Sequence, residues 1–148
     1  MSVEEGLKST DVTVIKQARA AAKGKVTRSI NSLDLALVQD TSGKFIFSEI
    51  NEKRLEVIYE TILSSYETFQ EIHDRHFEYA CPQDDEQMAK FIEDESEYAK
   101  NVAKAVSTVD RKYARFMTEN KLSSLQKEVS RNRTSLEEKV AEAQNVKT

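Results

Sequence analysis

Residues that break regular structure are scarce in this chain: its 148 residues include three glycines and one proline. A sheet protein of this length needs many chain reversals, and glycine and proline supply most of the turns that make them. Alanine, glutamate, lysine, leucine and glutamine, which favour helices, are abundant instead. The sequence therefore predicts an all-α fold.

Amphipathic stretches separated by these few breakers predict three long helices. The first is expected over residues 11–39, with Asp11 as its N-cap and a polar loop after it. The second is expected to begin after the N-cap Ser48 and to end just before Pro82, because the residue before a proline avoids helical dihedral angles.

The third helix is expected to begin near Asp84 or Asp85, and its apolar stripe changes face along the chain. Leu122 lies about 200° around an unbroken helix from Val102. We therefore expect a break or bend at residues 119–121, or else a tail that faces a different partner.

Short connections between long amphipathic helices make neighbouring helices antiparallel. The sequence thus predicts a flexible N-terminus over residues 1–10, an antiparallel three-helix bundle over residues 11–117, and a C-terminal amphipathic helix and tail over residues 118–148. The apolar side chains of this C-terminal helical extension form a stripe, the C-terminal seam: Leu122, Leu125, Val129, Leu136 and Val140.

Charge is distributed unevenly behind a net value of −4. Residues 1–48 carry a net charge of +2, residues 49–99 carry −11 and residues 100–148 carry +5. The first helix holds a basic set: Lys16, Arg19, Lys23, Lys25 and Arg28. The second helix holds an acidic ridge, opposite or beside its apolar side chains: Glu49, Glu52, Glu56, Glu60, Glu67, Glu71, Asp74 and Glu78.

Two interpretations of the acidic ridge stay open. It is either a solvated face that keeps the protein in solution, or a docking surface for a basic partner, such as the first or last helix of another copy. Exposed ion pairs contribute only about 0–1 kcal/mol each, so such a surface would select partner and orientation rather than supply stability. The basic set could alternatively make weak contacts with RNA or with an anionic membrane surface.

Candidates for chemistry are few. His73 and His76 lie three residues apart near Cys81, a spacing compatible with a shared metal. Both histidines, however, lie among the apolar side chains on one face of the second helix. We therefore expect core-edge histidines whose ring nitrogens are hydrogen-bonded or hydrated. On the apolar face of the third helix, Glu95 is the one charged residue. Gly24 lies inside the first helix, where glycine costs about 1 kcal/mol relative to alanine, and it is expected to permit close helix approach.

The sequence contains neither a glycine-rich phosphate loop nor a nucleophile-elbow motif. We therefore expect no catalytic activity, no cofactor, no metal and no small-molecule substrate. The single cysteine and the acidic N-terminal residues, unlike the basic start of a secretory signal, predict an intracellular protein of the cytoplasm, and the apolar runs are too short to span a membrane.

Residues 23–33 read KGKVTRSINSL, and after a loop a long helix contains residues 66–74, YETFQEIHD, before a short break and an acidic helix. Over roughly residues 8 to 117 this pattern resembles the Gag-like N-terminal region of BEL/Pao retrotransposon polyproteins. The resemblance implies a structural, non-enzymatic segment that helps retroelement particles to assemble, in a polyprotein or in a host protein derived from one. It supplies no catalytic residues.

Three hypotheses about function follow. The first is a Gag-like helical module that associates with other copies of itself, through apolar seams and surfaces of opposite charge. The second is an intracellular adaptor that docks a different protein through the acidic ridge or the C-terminal helix. The third is weak RNA binding through the basic set.

Overall fold

The computed structural model describes residues 3–146, with side-chain environments up to residue 144. This part of the chain is all-α, as predicted, with α1 over Val3–Lys8, α2 over Val12–Ala36, α3 over Glu49–Ala80 and α4 over Asp85–Val146. Among the described residues, none of the helices combines the length and the apolar character that crossing a bilayer requires.

The predicted helix caps are confirmed. Asp11 Oδ1 accepts a hydrogen bond from the backbone N–H of Thr13 at 2.9 Å, and Ser48 Oγ accepts one from the backbone N–H of Asn51 at 3.2 Å. The second long helix ends just before Pro82, also as predicted. Local sequence signals therefore place the helix ends correctly at these three positions.

The loop after α2 is held by the side chain of Asp40. Its carboxylate accepts hydrogen bonds from the backbone N–H groups of Ser42 at 2.8 Å and Lys44 at 3.0 Å, and from the Ser42 hydroxyl. These bonds, led by the hydroxyl, lower the pKa of Asp40. Gly43 has a φ of 84°, and Phe45 is buried. Because this turn starts early, α2 is three residues shorter than expected.

Hydrogen bonds join α3 to both ends of the segment that contains α2. Near one end, Asn51 Nδ2 donates to the carbonyl of Ala36 at 3.0 Å. Near the other, Arg75 Nε donates to the carbonyl of Ser9 at 2.8 Å. The start of α3 therefore meets the end of α2, and the end of α3 meets the residues just before α2.

Aromatic rings connect α3 with the first part of α4. The rings of Phe69 and Tyr98 have centroids 6.0 Å apart, and those of Phe77 and Phe91 lie 5.3 Å apart. Fully buried aliphatic side chains complete this core: Ile15, Val26, Leu33, Leu55, Ile62, Ile72 and Val109. Burial of these stripes, rather than helix propensity, supplies most of the stability of such helices.

The chain divides into two units, residues 1–113 and residues 114–148. The helix break expected at residues 119–121 is wrong, because α4 continues as a helix through these positions. Those three residues include no glycine or proline, and Arg115 Nε donates to Glu119 Oε1 at 2.9 Å one turn earlier. A change in the apolar face of a helix thus does not require the helix to end.

The residues expected to form a flexible N-terminus include the short helix α1. Gly6 is buried there, and a Cβ atom added to it would lie 2.1 Å from the Cβ atom of Ala18. The close helix approach expected at Gly24 therefore occurs at Gly6 instead. Among the described residues, the atom within 4 Å of a Cβ added at Gly24 is Nη1 of Arg28, at 3.3 Å.

This contrast gives opposite expectations for two alanine substitutions. Gly24→Ala is expected to raise the free energy of unfolding by about 0.5–1 kcal/mol, because alanine favours a helix more than glycine does. The end of the Arg28 side chain can move away from the added methyl group. Gly6→Ala is expected to lower it by about 1–3 kcal/mol, because α1 must shift off Ala18. Urea unfolding measures both, and a destabilised Gly24→Ala or a neutral Gly6→Ala would contradict this packing.

Candidate functional site

A buried cluster of ionisable side chains joins α2, α3 and α4. Arg19 is 6% exposed and Glu95 is 5% exposed. Arg19 Nη1 donates to Glu95 Oε2 at 2.7 Å and to His73 Nδ1 at 3.1 Å, and His76 Nδ1 donates to Glu95 Oε1. Both carboxylate oxygens of Glu95 are therefore occupied. We call these four residues, with Tyr98, the buried cluster.

Tyr98 provides the aromatic side of the buried cluster. The guanidinium carbon of Arg19 lies 4.1 Å from the centroid of the Tyr98 ring, and Lys23 Nζ lies 4.7 Å from it. The His73 ring is nearly parallel to that of Tyr98, with centroids 6.3 Å apart. Two cations thus lie close to one ring, an arrangement that holds α2 against α4.

Burial and charge act in opposite directions on Glu95. Burial alone would raise the pKa of Glu95, but the hydrogen bonds from Arg19 and His76, together with their charges, outweigh it and lower that pKa. For His73, burial lowers the pKa, the Glu95 charge partly offsets this and the Arg19 charge adds to it. Glu95 is therefore held ionised, and His73 is held neutral with Nδ1 as an acceptor.

The lowered pKa of His73 predicts a pH dependence of stability. Below the ordinary histidine value of 6.5, the unfolded chain takes up a proton at this position before the folded chain does, so the free energy of unfolding falls as the pH decreases. The slope for one proton is at most about 1.4 kcal/mol per pH unit. His73 is half-buried and borders a groove of about 420 Å³ with Tyr66 and Lys100, which gives protons access.

His73→Asn tests this expectation, because asparagine keeps a hydrogen-bond acceptor for Arg19 but does not titrate. We expect the variant to lose part of the pH slope between about pH 6.5 and 5, a window above the one in which Glu95 protonates. Urea unfolding at several pH values measures the slope. An unchanged slope in the variant would contradict a neutral His73 in the folded protein.

The basic set does not lie on one exposed face. Lys16, Lys25 and Arg28 are exposed, but Lys23 is half-buried over the Tyr98 ring and Arg19 belongs to the buried cluster. Arg19 is therefore not available to an RNA phosphate or to an acidic partner. Its counterion, Glu95, lies 76 positions away, so the charge pattern of α2 alone does not reveal the pairing.

The acidic ridge is exposed along α3 with the exception of Glu52, which is half-buried. Glu56, Glu52 and Glu60 lie near Tyr113 of α4: burial raises the pKa of Tyr113, and these three charges raise it further. The exposed members are Glu49, Glu56, Glu60, Glu67, Glu71, Asp74 and Glu78. The ridge thus forms a charged surface on the first unit.

The C-terminal seam is exposed throughout the second unit. Its five side chains are between 47% and 65% exposed, although they are aliphatic and recur on one side of α4: Leu122, Leu125, Val129, Leu136 and Val140. Such a stripe on a helix normally packs against another element. The C-terminal seam is therefore the candidate interaction surface of the second unit.

The histidines and Cys81 do not form one group. His73 and His76 hydrogen-bond within the buried cluster, in agreement with the expectation of core-edge histidines, whereas Cys81 Sγ lies 3.4 Å from Met88 Sδ. Over residues 3–146, three or more histidine, cysteine or acidic side chains nowhere come together as metal ligands. The contacts observed within the buried cluster include an ion pair and hydrogen bonds.

Sequence reasoning did not assign a role to Glu95 or Tyr98. The available signal was that Glu95 alone interrupts an apolar stripe, since a carboxylate on a buried face requires a partner.

Comparison of the chain with protein-family models, with curated proteins and with solved structures gave no match.

Proposed function

We propose that this protein is a non-enzymatic helical module that associates with other copies of itself. The observation that carries the proposal is the C-terminal seam, five aliphatic side chains exposed along one side of a helix. Transfer of such side chains out of water favours association, by about 25 cal/mol for each Å² of apolar surface covered. A second copy of the chain offers a stripe of the same length and spacing.

In this proposal the first unit is a rigid base, an antiparallel three-helix bundle of α2, α3 and the first part of α4. Support comes from the hydrogen bonds of Asn51 and Arg75 at opposite ends of α3 and from the buried cluster between the three helices. The carboxylate of Glu95 is engaged by Arg19 and His76, which favours a structural role for the buried cluster over a catalytic one.

The Gag-like resemblance of residues 8 to 117 fits this proposal, because assembly of many copies is what a Gag-like segment of a retroelement contributes. We extend the proposal accordingly to an intracellular, cytoplasmic assembly protein of a retroelement or of a host protein derived from one. The alternative is an adaptor, favoured by the exposed acidic ridge, which would bind a basic surface of a different protein.

Sedimentation equilibrium of the full chain, over a wide concentration range and at low salt, tests the proposal. We expect the average mass to rise with concentration above the 16.9 kDa of one chain. A chain with residues 122–143 deleted is the control, and it is expected to remain monomeric.

A full-length chain that stays monomeric at the highest concentration would overturn self-association. Association that persists after the deletion would place the contact outside the C-terminal seam. Capture of a purified basic protein by both the full chain and the deletion variant, without self-association of either, would favour the adaptor.

A further inference from the structure

The second unit contains an internal repeat of 11 residues. Residues 123–129 read SSLQKEV and residues 134–140 read TSLEEKV, so that Leu125 and Val129 of the first copy correspond to Leu136 and Val140 of the second. Eleven residues make three turns at 3.67 residues per turn, close to the 3.6 of a straight helix. The two repeats therefore present their leucine and valine on almost the same side of α4.

Within residues 122–143, the apolar positions on the side of the C-terminal seam have spacings that read the same from either end. Including Ala143, successive positions are separated by 3, 4, 7, 4 and 3 residues: Leu122, Leu125, Val129, Leu136, Val140 and Ala143. A second copy that runs in the opposite direction can therefore match the whole stripe. Leu122 then meets the partner's Ala143, Leu125 meets the partner's Val140, and Val129 meets the partner's Leu136.

This matching fixes one antiparallel register. Asn132 and Arg133 occupy the centre of the stripe, where the spacing of 7 leaves out an apolar side chain. When the helices slide by one repeat, Leu125 meets the partner's Val129 and the outer apolar residues lose their apolar partners. A polar position inside a seam also selects register, as buried asparagines do in coiled coils.

Charges beside the stripe favour the antiparallel direction. Glu128 and Lys139 occupy equivalent positions in the two repeats, are both exposed and lie on the same edge of the C-terminal seam. Antiparallel helices bring equivalent edges together, so each Glu128 faces the partner's Lys139, and symmetry forms this pair twice. The first repeat has an acidic residue where the second has a basic one, so opposite charges meet when the helices run antiparallel.

We propose that residues 122–143 pair antiparallel with the same residues of a second copy of this chain, about a two-fold axis between Asn132 and Arg133. The 11-residue repeat gives a pair of nearly straight helices with at most a slight right-handed supercoil, in contrast to a left-handed heptad coiled coil. This inference rests on the proposed self-association and adds its direction and register.

Disulfide cross-linking tests the direction. Two full-length variants are prepared in a Cys81→Ser background, one with Leu122→Cys and the other with Ala143→Cys. Antiparallel pairing places these two positions opposite each other only between different variants. We therefore expect oxidation of an equimolar mixture to give disulfide-linked dimers, and oxidation of either variant alone to give almost none.

Three other outcomes of the cross-linking experiment would contradict the inference. Cross-linking of the Leu122→Cys variant with itself would show parallel pairing and overturn the inference. Absence of cross-links, with dimers present in sedimentation equilibrium, would place the contact elsewhere and also overturn it. Monomers of both variants and of the unsubstituted chain would overturn the proposed function together with the inference.

A charge exchange checks the same register without cysteines. Glu128→Lys is expected to raise the dimer Kd about three- to tenfold, because it faces the partner's Lys139. Combining it with Lys139→Glu is expected to restore the Kd to within about twofold of the original.

The matched control combines Glu128→Arg with Arg133→Glu. In a parallel pair of helices, Glu128 would face the partner's Arg133. This exchange would therefore restore the ion pair only if the helices were parallel. We expect this control to stay weak. Restoration by the control, and not by the exchange of residues 128 and 139, would overturn the antiparallel direction.

Discussion

Glu95→Ala is expected to lower the free energy of unfolding by about 3–5 kcal/mol, which is the usual cost of removing one partner of a buried ion pair. The substitution leaves the Arg19 guanidinium buried without its carboxylate and removes the acceptor of His76. The ring of Tyr98, 4.1 Å from the guanidinium carbon, remains but cannot neutralise the charge. Since a domain of this size is stable by only about 5–15 kcal/mol, the loss is a large fraction of the total.

Urea unfolding followed by circular dichroism measures this effect, with Glu97→Ala as the matched control on an exposed position of the same helix. The control is expected to change stability by less than about 0.5 kcal/mol. The double variant Arg19→Met/Glu95→Leu is expected to recover part of the loss, because an apolar pair of similar volume needs no counterion, whereas His76 still lacks its acceptor. A loss below about 1 kcal/mol for Glu95→Ala would contradict burial of the pair.

Leu125→Glu is expected to raise the Kd of self-association at least about a hundredfold. Each buried leucine contributes about 1.5–3 kcal/mol, and the substitution removes one leucine from each of two copies. It also places a charge within the apolar contact, opposite the partner's Val140. The effect is therefore larger than that of any single exposed ion pair beside the seam.

Sedimentation equilibrium measures the Kd, and Ser124→Glu is the matched control, because Ser124 is exposed and points away from the C-terminal seam on the same turn. The control is expected to associate like the unsubstituted chain. Circular dichroism adds a second measurement, since an uncovered helix is marginal in water and the variant should lose helix content from the second unit. Equal weakening by both substitutions would show that added negative charge, and not loss of the leucine, is responsible.

Features that depend on neighbouring residues were predicted from the sequence. The caps at Asp11 and Ser48 follow from local chemistry, because each side chain accepts a hydrogen bond from a backbone N–H of the first helical turn. The helix end before Pro82 is also local, because the proline ring restricts the dihedral angles of the residue before it. The helical class follows in the same way from composition. These features required no knowledge of which helices meet.

Three features that depend on distant residues were not predicted. Arg19 was assigned to a basic set because its neighbours on α2 are basic, whereas its position is determined by Glu95 on α4. A break or bend near residue 120, or a tail facing a different partner, was inferred from a change in the apolar face, and the break is wrong because α4 continues through these positions. Gly6 was assigned to a flexible segment, although the close approach of Ala18 requires its missing side chain.

Tyr59 and Tyr113 give the first unit an optical reporter. The chain has five tyrosines and no tryptophan, so its near-ultraviolet absorption and emission come mainly from tyrosine. Tyr59 donates its hydroxyl to Asp110 and stacks on Tyr113 with ring centroids 4.1 Å apart. The hydrogen bond to Asp110 raises the pKa of Tyr59 to about 12, so its phenolate absorbance should appear late in an alkaline titration. Separation of α3 from α4 can thus be followed spectroscopically without an attached dye.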